Sequence, residues 1–137
     1  MKTLIINGPN LNLVGTRNIH QYGGVDLNEY LNSLETEFDF NVFQSNVEGE
    51  IINMLHSAED SYYNGIIINA GGYTHTSVAI TDAIEAITIP VVEVHISNIF
   101  NREDFRNKSL ISKNCVGNIS GFGLESYKLG LQYFKGK

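Results

Sequence analysis

The sequence predicts an α/β sandwich built on a five-stranded parallel sheet, and three features carry that expectation. Five short apolar runs alternate with segments whose apolar residues recur at helical spacing, the pattern of strands joined by crossover helices. Ile66, Ile67 and Ile68 form a continuous β-branched run, as expected of a strand covered on both faces. With 137 residues and 42% hydrophobic content, the chain can bury one core and little more, so residues 1–137 read as a single domain. Five units favour the strand order 2-1-3-4-5, a flavodoxin-like three-layer arrangement.

Each element has a local reason. Thr3 to Asn7 is the first strand, and Gly8-Pro9 cannot easily continue it, so a long loop runs from there to about Gly24. Leu27, Tyr30, Leu31, Leu34 and Phe38 mark the inner face of a helix, with Asp26 and Glu29 at capping-box spacing. Asn41 to Gln44 is the second strand, and Ile51, Ile52, Leu55 and Ala58 define a second helix starting near Glu48. The third strand breaks at Gly71-Gly72, where the backbone can turn sharply. Thr76 or Ser77 then caps a third helix with Ala79, Ala83 and Ile87 inward. Val91 to His95 is the fourth strand. Alternation there puts Glu93, His95 and Ser97 on one face and Val92, Val94 and Ile96 on the other, an unusual polar face inside a sheet. The fifth unit is irregular through NIFNREDFRNKS, strand-like from Val116 to Ser120, then helical with Leu124, Tyr127, Leu131 and Phe134 on one face.

The formal charge of −6 and the absence of any Lys or Arg run argue against nucleic acid and anionic membrane surfaces as partners. No signal peptide or membrane span is recognisable, and a lone cysteine cannot form an internal disulfide, so a cytoplasmic location is expected. Cys115 reads as a small apolar side chain and not a nucleophile. His56, at helical spacing from Ile52 and Asp60, reads as a surface or interface residue. The histidines are dispersed and no zinc-type spacing occurs, so no metal is expected.

In the order 2-1-3-4-5 the first and third strands are neighbours whose loops diverge, opening a crevice at their carboxyl ends. The loop after Asn7 and the loop after Asn69 border it, and the fourth strand brings His95 alongside. The second of these loops carries Tyr73, Thr74, His75, Thr76 and Ser77, more hydrogen-bonding groups than a turn needs. Arg17, Arg102 and Arg106 are the only arginines and all fall in crevice-side loops, which suits an anionic or hydroxylated small ligand. A solvated surface role is the plain alternative for each. Tyr22 follows Arg17 by five residues, between Gly15 and Gly23-Gly24, the make-up of a hinged lid. A nearby guanidinium favours the phenolate and makes the tyrosine usable as a base; a ring packed at the loop base is the simpler account. A flavin carrier or a phosphotransfer receiver would fit the same sheet. Against both, there is no GxxxxGKS/T loop, Gly8-Pro9 replaces a hydroxyl-rich phosphate turn, and Asn7 and Asn69 stand where a receiver carries acids.

The segments NGPNLNLVGTR with QYGG, QSNVEGEIINMLH, INAGGYTHTSVAI, PVVEVHISN and REDFR together resemble the type II 3-dehydroquinate dehydratases, in order and over nearly the whole chain. The resemblance implies loss of water from 3-dehydroquinate to give 3-dehydroshikimate, an anti elimination through an enolate without metal or cofactor. It implies that Tyr22 removes the proton beside the ketone, that Arg17 keeps Tyr22 ionised, and that Asn10 holds the water that stabilises the enolate oxygen. His95 is then the general acid for the departing hydroxyl, with Glu93 orienting it. Asn69, Ser97 and the N–H groups of Ile96 and Ser97 would bind the carboxylate, and His75 and Arg106 the ring hydroxyls. Asp82 would reach a neighbouring subunit's site in a homododecamer of trimers, with Arg102 behind the site or at an interface. The chain departs from the common pattern at Asn18-Ile19, where many relatives carry Glu-Pro, at Thr81, where arginine is frequent, and along Asn107 to Leu110. None of these positions is assigned to chemistry. Tyr22 with Arg17 favours an enzyme over a non-catalytic binding protein for a polyhydroxylated acid, since binding needs no base.

Overall fold

The computed structural model describes residues 2–15 and 25–137. Strands β1 (Lys2–Asn7), β2 (Phe40–Gln44), β3 (Tyr63–Asn69), β4 (Val91–His95) and β5 (Gly117–Ser120) pair in parallel in the order β2-β1-β3-β4-β5, the flavodoxin-like arrangement expected. Among the described residues the covering α-helices are α1 (Leu27–Ser33), α2 (Glu48–Ala58), α3 (Val78–Ala86) and α4 (Glu125–Phe134).

The two-sided core follows from strand alternation. Leu4, Ile6, Ile66 and Ile68 pack with Ile51 and Leu55 of α2 and Ile80 and Ile84 of α3. Their sequence neighbours Ile5 and Ile67 point the other way, to Leu27 and Leu31 of α1 and Tyr127, Leu131 and Phe134 of α4. Burying a side chain of this size contributes roughly 1.5–3 kcal/mol relative to leaving it exposed. Val92, Val94 and Ile96 join the second cluster, which turns Glu93 and His95 to the opposite face, as their alternation predicts.

The helix caps also match. Asp26 accepts the N–H groups of Asn28 at 2.7 Å and Glu29 at 3.4 Å. Of the two candidates before α3, Ser77 is the cap, accepting from Ile80 N at 2.9 Å. The inner face of α3 corrects the expectation in one respect: Ala79 is exposed, whereas Ile80, Thr81, Ala83 and Ile84 are buried. The larger side chains Ile80 and Ile84 take the place in the core, with Ala83 beside them and Ile87 packed against the same cluster. Thr81 can be buried too because its hydroxyl lies 3.1 Å from the carbonyls of both Ser77 and Leu110, so no polar group is stranded.

At the carboxyl end of the sheet, β1 and β3 leave side by side. The Gly8 N–H donates to the Asn69 carbonyl at 2.7 Å, and a Cβ at Gly8 would lie 2.4 Å from the Ala70 oxygen. Only glycine permits that approach. Asn10 follows with φ 69°, a left-handed conformation that asparagine tolerates better than most residues. No described helix is long and apolar enough to cross a membrane.

Candidate active site

The divergence of these loops leaves a cavity of about 450 Å³. Asn10 enters it from the β1 loop, Asn69 from the end of β3 and His75 from the turn that follows. His95, Ile96 and Ser97 line it from the end of β4, and Arg102 and Arg106 from the segment beyond. Eight residues singled out in the sequence therefore meet in one cavity. Arg17 and Tyr22 lie outside the described residues. Asp82 is exposed on α3 and does not line its own chain's cavity, and His56 is exposed on α2.

The polar face of β4 is built around Glu93, which is fully buried. His95 Nε2 is 2.5 Å from Glu93 Oε2. Ser109 Oγ donates to the same oxygen at 2.7 Å, and Ser112 Oγ donates to Oε1. Burial pushes the carboxyl up most strongly, yet the hydrogen bond and charge of His95 with the two serine hydroxyls outweigh it and hold Glu93 below the usual carboxylate range. An ionised acceptor at Nε2 keeps a proton on that nitrogen, so Nδ1 is the position from which the ring can exchange protons with a ligand.

This arrangement sets a pH dependence. Because folding lowers the carboxyl of Glu93, its ionisation adds stability above the usual value near 4.5 and loses it as pH falls through the lower folded value. Glu93→Gln is therefore expected to cost about 1–3 kcal/mol at neutral pH, with the gap to wild type narrowing in acid. Urea melts of both proteins between about pH 3 and pH 7 test this; a gap independent of pH would contradict it.

The other polar groups are equally constrained. His75 Nδ1 is 2.6 Å from the Lys108 carbonyl oxygen, which leaves Nε2 for the cavity. The Asn10 N–H donates to Asn46 Oδ1 at 3.0 Å. Arg102 donates to Ser97 Oγ and lines the cavity itself, closer to the site than the sequence resemblance implies. The Arg106 guanidinium lies 5.2 Å from the centre of the Phe105 ring and 3.6 Å from Glu103. Asn69 accepts from Gly71 N at 3.2 Å and donates to the Tyr127 hydroxyl at 3.0 Å, which in turn donates to Asn7 Oδ1 at 2.6 Å. Ser109, Ser112 and Tyr127 are supporting residues the sequence did not single out for the site. Tyr127 was legible only as part of a helix's inner face.

Cys115 is half-buried, and burial followed by the charge of Glu93 pushes its thiol up to about 12. It is no nucleophile at neutral pH. Among the described residues no three His, Cys, Asp or Glu side chains group as a metal site.

The family model for dehydroquinase class II matches residues 1–135. The chain belongs to the class II dehydroquinases. Curated members of this enzyme family are similar along their whole length. A 3-dehydroquinate dehydratase from Clostridium perfringens is 49% identical over 142 residues, covering 100% of this chain and 99% of the relative. One from Caldicellulosiruptor saccharolyticus is 52% identical over 139 residues, covering 98% and 96%. The crystal structure of the type II dehydroquinase from Butyrivibrio crossotus matches with a TM-score of 0.91 at 40% identity, covering 98% of this chain and 97% of that one.

Proposed function

We propose that this chain dehydrates 3-dehydroquinate to 3-dehydroshikimate, in the shikimate pathway or in quinate breakdown. The observation that carries the reading is His95, seated on an ionised, buried Glu93 and lining a cavity shared with Asn10, Asn69, His75, Ser97 and Arg106. Tyr22, kept ionised by Arg17, takes the proton from the carbon beside the ketone, and the electron pair moves to the ketone oxygen. Asn10 holds the water that donates to this enolate. The enolate then re-forms the ketone, the carbon–carbon double bond forms, and the β-hydroxyl leaves as water with a proton from His95. Asn69, Ser97 and the N–H groups of Ile96 and Ser97 bind the carboxylate, while His75 and Arg106 bind ring hydroxyls. The scheme uses no metal and no cofactor.

Asp82, exposed on α3, completes the site of a neighbouring subunit in a homododecamer, a tetramer of trimers. An active monomer in sedimentation would remove this part of the reading. The activity itself is tested by adding 3-dehydroquinate and following ultraviolet absorbance of the conjugated enone. Rising absorbance that survives borohydride treatment supports enolate chemistry without a lysine imine. Flat absorbance, with a melting temperature raised by the same compound, would make the protein a non-catalytic binder.

A further inference from the structure

A carboxamide at the wall of a binding cavity can present either an N–H donor or a C=O acceptor, and the two choose opposite ligands. Asn69 is in that position, buried at the end of β3 and lining the cavity. Its orientation is settled by neighbours on two other elements. Gly71 N–H, 3.2 Å away, requires an acceptor and takes Oδ1. The Tyr127 hydroxyl, 3.0 Å from Nδ2, has one hydrogen, and that hydrogen goes to Asn7 Oδ1 at 2.6 Å. Toward Asn69 the phenol oxygen can therefore only accept. Asn7, Asn69 and Tyr127 are all buried, Tyr127 completely, so the bond between Tyr127 and Asn7 is sheltered from water.

We propose that Tyr127 is a positioning residue for ligand binding: it locks the Asn69 carboxamide with its N–H edge toward the cavity, so that the subsite accepts an anionic oxygen. Both nitrogen hydrogens then have assignments, one to Tyr127 and one to the ligand. Ser97 and the guanidinium of Arg102, bonded to each other and both lining the cavity, add donors of the same polarity. The proposal deepens the reading of Asn69 as a carboxylate ligand and rests on it for the identity of the anion. The fixed polarity stands apart from catalysis, because Tyr127 acts through Asn69.

Tyr127→Phe removes the hydroxyl and keeps the ring that fills the core beside Ile5 and Val94. The expected result is a KM for 3-dehydroquinate raised roughly ten- to hundredfold, the worth of a hydrogen bond to a charged group, with kcat within about threefold of wild type. Asn7→Leu should do the same without touching Tyr127. It frees the phenol hydrogen to donate to Asn69 Oδ1, which lets the carboxamide turn over, away from the Gly71 N–H, so that its N–H edge is no longer fixed toward the cavity. Side-chain amide NMR of the unliganded proteins gives a reading independent of turnover: the Asn69 amide protons should shift in both variants. If wild type turns over no 3-dehydroquinate, the functional reading fails while the amide spectra still decide the orientation. An unshifted Asn69 amide in Tyr127→Phe would overturn the proposal. So would an unchanged KM in an active, folded variant, or a loss confined to kcat.

Discussion

Replacing His95 by alanine is expected to lower kcat by about 10²–10⁴-fold, the range for loss of a positioned general acid, while the protein stays folded. The first half follows from where the ring stands. Its Nε2 is committed to Glu93, so no other group described here offers a proton from the same place with the same orientation. The second half follows from the serines. With His95 gone, Glu93 keeps the hydroxyls of Ser109 and Ser112, so its carboxylate is not left bare in the core. Steady-state kinetics with a circular dichroism melt checks both. Near-normal turnover would remove His95 from the proton transfer, and an unfolded variant would show that the serines do not suffice.

Tyr22→Phe is expected to be as damaging, again about 10²–10⁴-fold in kcat, because the deletion removes the only base the proposed scheme names. KM should move little, since the ring and its bulk persist. Deuterium at the carbon beside the ketone sharpens the measurement: exchange of that label with solvent should stop in Tyr22→Phe but continue, slowly, in His95→Ala. Exchange at the wild-type rate without the phenol would reassign the base.

The fold was legible because its signals are local and repeated. Alternation along Leu4 to Ile6 and along Ile66 to Ile68 predicts a sheet covered on both sides, and the structure divides these side chains between two clusters. Boundaries were less legible. Val116 was expected in the fifth strand, yet the strand begins at Gly117, and Ala79 was expected inside α3, where the neighbouring Ile80 is buried instead. The polar face of β4 could be read in advance, since an acid and a histidine two residues apart on a buried strand have no packing reason to be there.

What surrounds that face could not be read. Ser109 and Ser112 lie 16 and 19 residues from the carboxylate they hold, within an irregular segment whose path no periodicity predicts. Tyr127 presents a harder case. Its spacing on α4 marks it as core, and its ring is core; only the hydroxyl, at the tip of an otherwise apolar side chain, reaches Asn69 at the cavity wall. Arg102 was placed behind the site for a similar reason, since a loop's sequence does not reveal which of its cations turns inward.

The bond between Asn7 and Tyr127 joins residues 120 positions apart, the first strand to the last helix. A polypeptide emerging from the ribosome thus makes the asparagine early and must wait for almost the whole of translation before its partner exists. Until α4 is released and docks, Asn69 has only the Gly71 N–H to hold its amide, and the hydroxyl that fixes its other edge is missing. Tight binding of the anion should then appear only once the last helix is in place.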